Sequence, residues 1–202
     1  MSVLSVPAAL ASPDPAILQS IRREDCNLAI WQRELPTDFA PMLEGTAKDI
    51  RCTTALDDLP AVFSAELSRQ GFAATHLHSM LVADVAALAK HFCDALALTR
   101  FELRLEVVTT DSCRKFHADY VSARLITTYV GPGTDWLDTR EAEALARGQE
   151  PGRINRMATG DVGLFKGKLA TLHPAIHRSP PISQSGETRL LLVLNPVSAQ
   201  GH

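Results

Sequence analysis

The hydrophobic period changes at Arg100, and that change limits what this chain can fold into more than any other feature. Before it, Leu77, Leu81, Val85, Leu88, Phe92 and Leu96 recur at helical spacing as one stripe, with Lys90 and Asp94 pointing elsewhere. After it, Phe101, Leu103, Leu105 and Val107 alternate with Glu102, Arg104 and Glu106, the pattern of a strand with one buried face. The first half is therefore expected to be mainly helical and the second half β-rich.

The rest of each half fits that division. Leu59, Val62, Phe63 and Leu67 predict a helix within 55–70 that stops at Gly71. Shorter helices are expected over 17–23 and 37–48, the second with Pro41 in its first turn. Only 26–31 reads as a strand there, and the proline-broken stretch 1–15 reads as a mobile lead-in. His76, His78 and His91 fall on or near the long helix as surface or stripe-edge residues.

Beyond Arg100, a strand over 121–130 ends at the turn Gly131-Pro132-Gly133. Asp138 and Glu141 form a capping box for a helix through Ala146, closed by Gly148. The polar segment 138–158 suits either a lid or a solvated helix and loop. A strand follows at 162–165, and Arg189 opens an apolar run through Leu194 suited to a strand buried on both faces. Short, turn-bounded strands of this kind are what sandwiches and jelly rolls require. The expected class is α+β: a single domain over 1–202, in which a mainly helical region (1–98) packs on a β core (99–202).

Charge narrows the partners. Lys and Arg number 20 against 23 Asp and Glu, a net −3 with no basic run, so neither nucleic acid nor an anionic membrane is expected. Cys26, Cys52, Cys93 and Cys113 are too dispersed for a disulfide framework or a four-thiolate zinc site. They read as small buried residues of a reducing compartment. The N-terminus matches neither a signal peptide nor a membrane span, which gives a cytoplasmic expectation.

The chemistry is concentrated in Phe116-His117-Ala118-Asp119-Tyr120. Residues two apart in an extended chain point the same way, so His117 and Asp119 present an imidazole and a carboxylate to one side. His177 is the chosen third ligand, because it falls where a returning strand should lie and Pro174, Pro180 and Pro181 exclude a helix there. His173 is its competitor. Two imidazoles and one carboxylate hold a divalent iron on one face and leave other positions open. Arg189, entering an apolar strand, needs an anion, either from a buried ion pair or from an acidic co-substrate. Trp136 either lines a mouth or packs under a loop, and Arg178 either faces the opening or pairs with Glu187.

The order His117-x-Asp119, His177, Arg189 resembles that of the 2-oxoglutarate- and Fe(II)-dependent dioxygenases. Arg124 to Val130 leading into Gly131-x-Gly133-Thr134 is similar to the strand and turn of prolyl-hydroxylase-like members. Gly160-Asp161-Val162-Gly163-Leu164-Phe165 resembles the strand before their distal histidine. The likeness covers about residues 100–197. It implies a double-stranded β-helix, with iron on His117, Asp119 and His177, and Arg189 on the far carboxylate of 2-oxoglutarate. Tyr129 or Thr127 would add a hydrogen bond to this small-molecule co-substrate, which the reaction converts to succinate and carbon dioxide as a substrate is hydroxylated.

The words Phe116-His117-x-Asp119, Thr128-Tyr129-Val130-Gly131-Pro132-Gly133-Thr134-x-Trp136-Leu137 and His177-Arg178-Ser179-Pro180-Pro181 are also similar to a bacterial domain-of-unknown-function family. That second resemblance implies an alternative: a non-catalytic protein on the same fold, holding Zn(II) through the same side chains and linked to zinc homeostasis.

Overall fold

The computed structural model describes residues 7–197. Seven strands form its central sheet: β1 (Ala8–Ser12), β2 (Cys26–Trp31), β3 (Ile50–Ala55), β4 (Arg100–Val108), β5 (Ala123–Val130), β8 (Val162–Lys166) and β10 (Arg189–Pro196). A smaller sheet comprises β6 (Asp135–Leu137), β7 (Asn155–Arg156) and β9 (Ile176–Arg178). The large sheet runs in the order β1-β2-β8-β5-β10-β4-β3 and is faced by the small one in the order β7-β6-β9. The molecule is a mixed α/β structure dominated by a sheet.

Strand periodicity sorts the two faces of the large sheet. Leu103 and Leu105 on β4, Leu125 and Tyr129 on β5, and Leu190, Leu192 and Leu194 on β10 join one core cluster. The helices α1 (Leu59–Arg69) and α2 (His78–Leu96) cover it, their stripe residues Phe63, Leu67, Leu81, Val85, Leu88 and Phe92 all fully buried. The opposite face carries Ile126, Leu191 and Val193, which pack with Met157 and Ala175 beside the small sheet. Central β10 pairs with β4 on one side and β5 on the other, as its continuous apolar run requires.

The helical part of the chain also builds the sheet. Residues 1–98 supply three of the large sheet's seven strands. The stretch read as a mobile lead-in contains β1, which pairs in parallel with β2; positions 1–6 lie outside the described residues. The helix expected over 37–48 is one 3-10 turn, Ala40–Leu43. Pro41 sits in that turn, and Gly45 leaves helical backbone at φ 140 before β3 begins. Half of the expected capping box forms: Asp138 accepts from the Glu141 amide at 2.9 Å and opens α3 (Thr139–Ala146), while the Glu141 carboxylate accepts from the Gly152 amide instead. Of the two positions expected for His78, surface or stripe edge, it takes the inner one. It is buried, with Nε2 3.2 Å from the carbonyls of Phe72 and Ala73. No helix among the described residues is long and apolar enough to cross a membrane.

Candidate metal centre

His117 and His177 meet through the backbone first. The His117 amide donates to the His177 carbonyl at 2.9 Å, and the His177 amide donates back at 3.0 Å. Directly opposed residues of an antiparallel pair send their side chains to the same side, and the two rings lie 4.8 Å apart, centroid to centroid. His117 Nδ1 lies 2.9 Å from the Lys115 carbonyl, and His177 Nδ1 lies 3.2 Å from that of Ala175. A carbonyl can only accept, so Nδ1 of each ring is the donor there and Nε2 is the atom turned to the common space. This is how outer partners fix the tautomer of metal-binding histidines.

Asp119 completes the set from the same extended segment. Its Oδ1 is 3.8 Å from His117 Nε2, and its Oδ2 is 3.3 Å from His177 Nε2. The potential ligand atoms of all three residues fall within 4.8 Å of one another. Oδ2 is buried and has no hydrogen-bond partner, the sole such side-chain atom among the described residues. A buried polar atom with nothing to bond is costly, and a cation would satisfy it. The donor set therefore fits a divalent metal.

The surroundings hold these groups in place. The Phe165 ring packs 4.6 Å from the His177 ring. Gly163 makes this possible, since a side chain there would run into the Phe165 ring and Met157 Sδ. Arg124, on the same face of β5 as Ile126, reaches Asp119 Oδ1 at 2.5 Å. Burial pushes the Asp119 carboxyl up, but His177, Arg124 and His117 outweigh it and hold the group below its ordinary value.

Arg189 is fully buried on the cleft face. Its guanidinium donates to the Pro132 carbonyl at 2.7 Å, Ser179 Oγ at 2.9 Å, Thr128 Oγ1 at 3.2 Å and Thr134 Oγ1 at 3.4 Å. All four acceptors are neutral, and Arg189 forms no salt bridge among the described residues. Burial lowers its pKa to about 10, against a smaller upward pull from Asp135. The turn that frames it needs glycine. A Cβ on Gly133 would collide with the Met157 carbonyl, and Gly131, at φ +80, lies against the Thr188 carbonyl and Arg189.

Two expected co-substrate residues lie on the wrong face. Thr127 and Tyr129 point to the helices, where Tyr129 Oη donates to Asp84 Oδ2 at 2.5 Å and Thr127 Oγ1 donates to the Gly160 carbonyl. The residue between them, Thr128, is the one that reaches Arg189. Thr134, in the Gly-Pro-Gly-Thr turn, and Ser179, two residues after His177, also accept from Arg189. His173 is exposed and its carbonyl accepts from Asn27, so it takes no part in the cluster. Arg178 bonds Asp135 at 3.0 Å rather than Glu187 and lies over the Phe116 ring. Trp136 packs with the cleft-face apolar cluster.

A cleft of about 110 Å³ opens over this group, lined by His117, His177, Arg124, Thr134, Arg178 and Ser179 among others. A larger hollow of about 670 Å³, bordered by Pro60, Ser64, His78 and Val82 of the α1–α2 region, contains none of the clustered ligand residues.

Two imidazoles gathered at a carboxylate with one unsatisfied oxygen define a candidate mononuclear metal site on a sheet-dominated α/β fold. The chain belongs to the family described as Protein of unknown function (DUF1826), whose sequence model matches residues 12–195. No curated protein matches the sequence. Among solved structures it is similar to a dioxygenase for auxin oxidation from rice, at 13% identity and TM-score 0.47, covering 95% of this chain and 83% of that one. It is similar to AviO1 from Streptomyces viridochromogenes at 14% identity and TM-score 0.48, covering 96% and 99%. A prolyl-4-hydroxylase from Pseudomonas putida matches at 11% identity and TM-score 0.44, covering 91% and 99%.

Proposed function

We propose that this protein is an Fe(II)- and 2-oxoglutarate-dependent oxygenase, folded as one domain whose two facing sheets form a double-stranded β-helix. The observation that carries the reading is the orphaned Asp119 Oδ2, buried beside two imidazoles that turn their Nε2 atoms toward the carboxylate. His117, Asp119 and His177 would hold the iron, which when bound supplies oxygen activation at its open positions. Arg189 supports the co-substrate half of the reading. A buried guanidinium with only neutral acceptors gains most from a carboxylate. Ser179, Thr128 and Thr134, already within its reach, would fix the carboxylate's orientation and keep water from its place.

The test is anaerobic addition of 2-oxoglutarate to the Fe(II)-loaded protein. The expected result is a metal-to-ligand absorption band and, on admitting air with substrate, formation of succinate. Iron binding with no response to 2-oxoglutarate would instead favour a non-catalytic metal protein, for which the same three side chains suit Zn(II).

A further inference from the structure

The cleft face of the large sheet carries a file of polar groups that ends on the candidate metal ligand. Arg124 on β5 donates through Nη1 to Asp119 Oδ1 at 2.5 Å and through Nε to Asn195 Oδ1 at 2.7 Å. Asn195 on β10 donates through Nδ2 to Glu102 Oε1 at 2.9 Å, and Glu102 on β4 is its direct register partner. Glu102 is in turn bound by Arg104 at 2.6 Å and by Arg51 on the edge strand β3 at 2.7 Å. Arg124, Asn195 and Glu102 thus link the neighbouring strands β5, β10 and β4, and Arg124 is gripped on both sides.

The consequence falls on one atom. A carboxylate can offer either oxygen, and here Oδ1 is occupied by a held guanidinium while Oδ2 has no partner. We propose that Arg124 is the positioning residue of the metal site, fixing Asp119 by Oδ1 so that Oδ2 alone is presented to the metal. Asn195 and Glu102 set the plane of the guanidinium. The inference rests on the metal-site reading and adds to it a residue that never touches the metal.

Two physical effects of removing Arg124 have opposite signs, so the experiment discriminates. By charge alone, losing a cation beside the site tightens binding of another cation. By orientation, losing an outer partner weakens metal binding by about 10–100-fold. Co(II) is titrated into the intact protein and into Arg124→Met, Arg124→Lys and Asn195→Ala, following affinity and the visible spectrum of the bound ion.

The expected result is wild-type binding, weakening of about 10–100-fold with an altered spectrum in Arg124→Met, and partial recovery in Arg124→Lys. Asn195→Ala is expected to lie between wild type and Arg124→Met. A merely structural role would lower the melting temperature and leave the affinity and spectrum of the folded protein unchanged. Equal or tighter binding by folded Arg124→Met overturns the proposal. If that variant does not fold, wild-type affinity and spectrum in both Arg124→Lys and Asn195→Ala overturn it. Failure of the wild-type protein to bind Co(II) overturns the metal site itself, and this inference with it.

Discussion

The two faces of the large sheet are made by the same strands and differ in almost every physical respect. Toward the helices, β4, β5 and β10 present leucines and Tyr129, and the buried polar groups there are mutually satisfied. Asp84 on α2 takes a two-pronged bond from Arg33, at 2.5 and 2.9 Å, and the Tyr129 hydroxyl. Toward the small sheet, the same strands present Glu102, Arg104, Arg124, Thr128, Arg189 and Asn195. There one carboxylate oxygen lacks a partner, and one buried cation lacks an anion. Among the described residues the helix face has no buried side-chain nitrogen or oxygen without a partner, while the cleft face has unmet demands at two points. A period of two lets one strand serve stability on one side and ligand binding on the other.

Variants on the two faces should therefore separate stability from binding. The largest effect is expected from His177→Ala or Asp119→Asn, which remove a candidate ligand atom. Metal affinity should fall beyond the ~10–100-fold typical of an outer partner, as read by metal titration. On the other face, Leu192→Ala should cost about 2–5 kcal/mol in denaturant unfolding, because a fully buried side chain leaves a cavity. Its metal affinity should stay at the wild-type value, and a loss there would break the separation of faces.

Arg189→Met sharpens the comparison. It removes a buried charge but leaves four neutral acceptors without their donor, so the two effects oppose and the ligand-free protein should melt near or slightly below wild type. Calorimetric binding of 2-oxoglutarate to the metal-loaded form should weaken by about 2–5 kcal/mol, the usual loss when one member of a buried charge pair is truncated. The smallest effect is expected from Tyr129→Phe. It should cost about 1 kcal/mol of stability, since Asp84 keeps Arg33, and should leave co-substrate binding unchanged.

Sequence reasoning reached the local features and lost the long-range ones. The alternation of β4, the apolar run of β10, the stripe of α2 and the Asp138 cap are each written in a short window, and each formed. Strand β3, Ile50-Arg51-Cys52-Thr53-Thr54-Ala55, carries too mixed a pattern to be read alone, and its pairing with β4 spans some fifty residues of chain. The parallel pairing of β1 was hidden by the flanking prolines. His177 could be favoured over His173, but its reciprocal bonding to His117 depends on the register of a three-residue strand. The choice of Thr127 and Tyr129 over Thr128 shows how much one position matters, because a one-residue error moves a side chain to the opposite face.

If the cleft face is the binding face, a divalent metal should stabilise the protein through it and not through the helix face. Thermal unfolding of wild type, His177→Ala and Leu192→Ala with and without Co(II) measures this in one series. At a metal concentration about a hundredfold above Kd, wild type should gain about 2.7 kcal/mol. Leu192→Ala should gain the same amount from a lower starting point, and His177→Ala should gain nothing. An equal gain in His177→Ala, or none in wild type, would contradict the assignment.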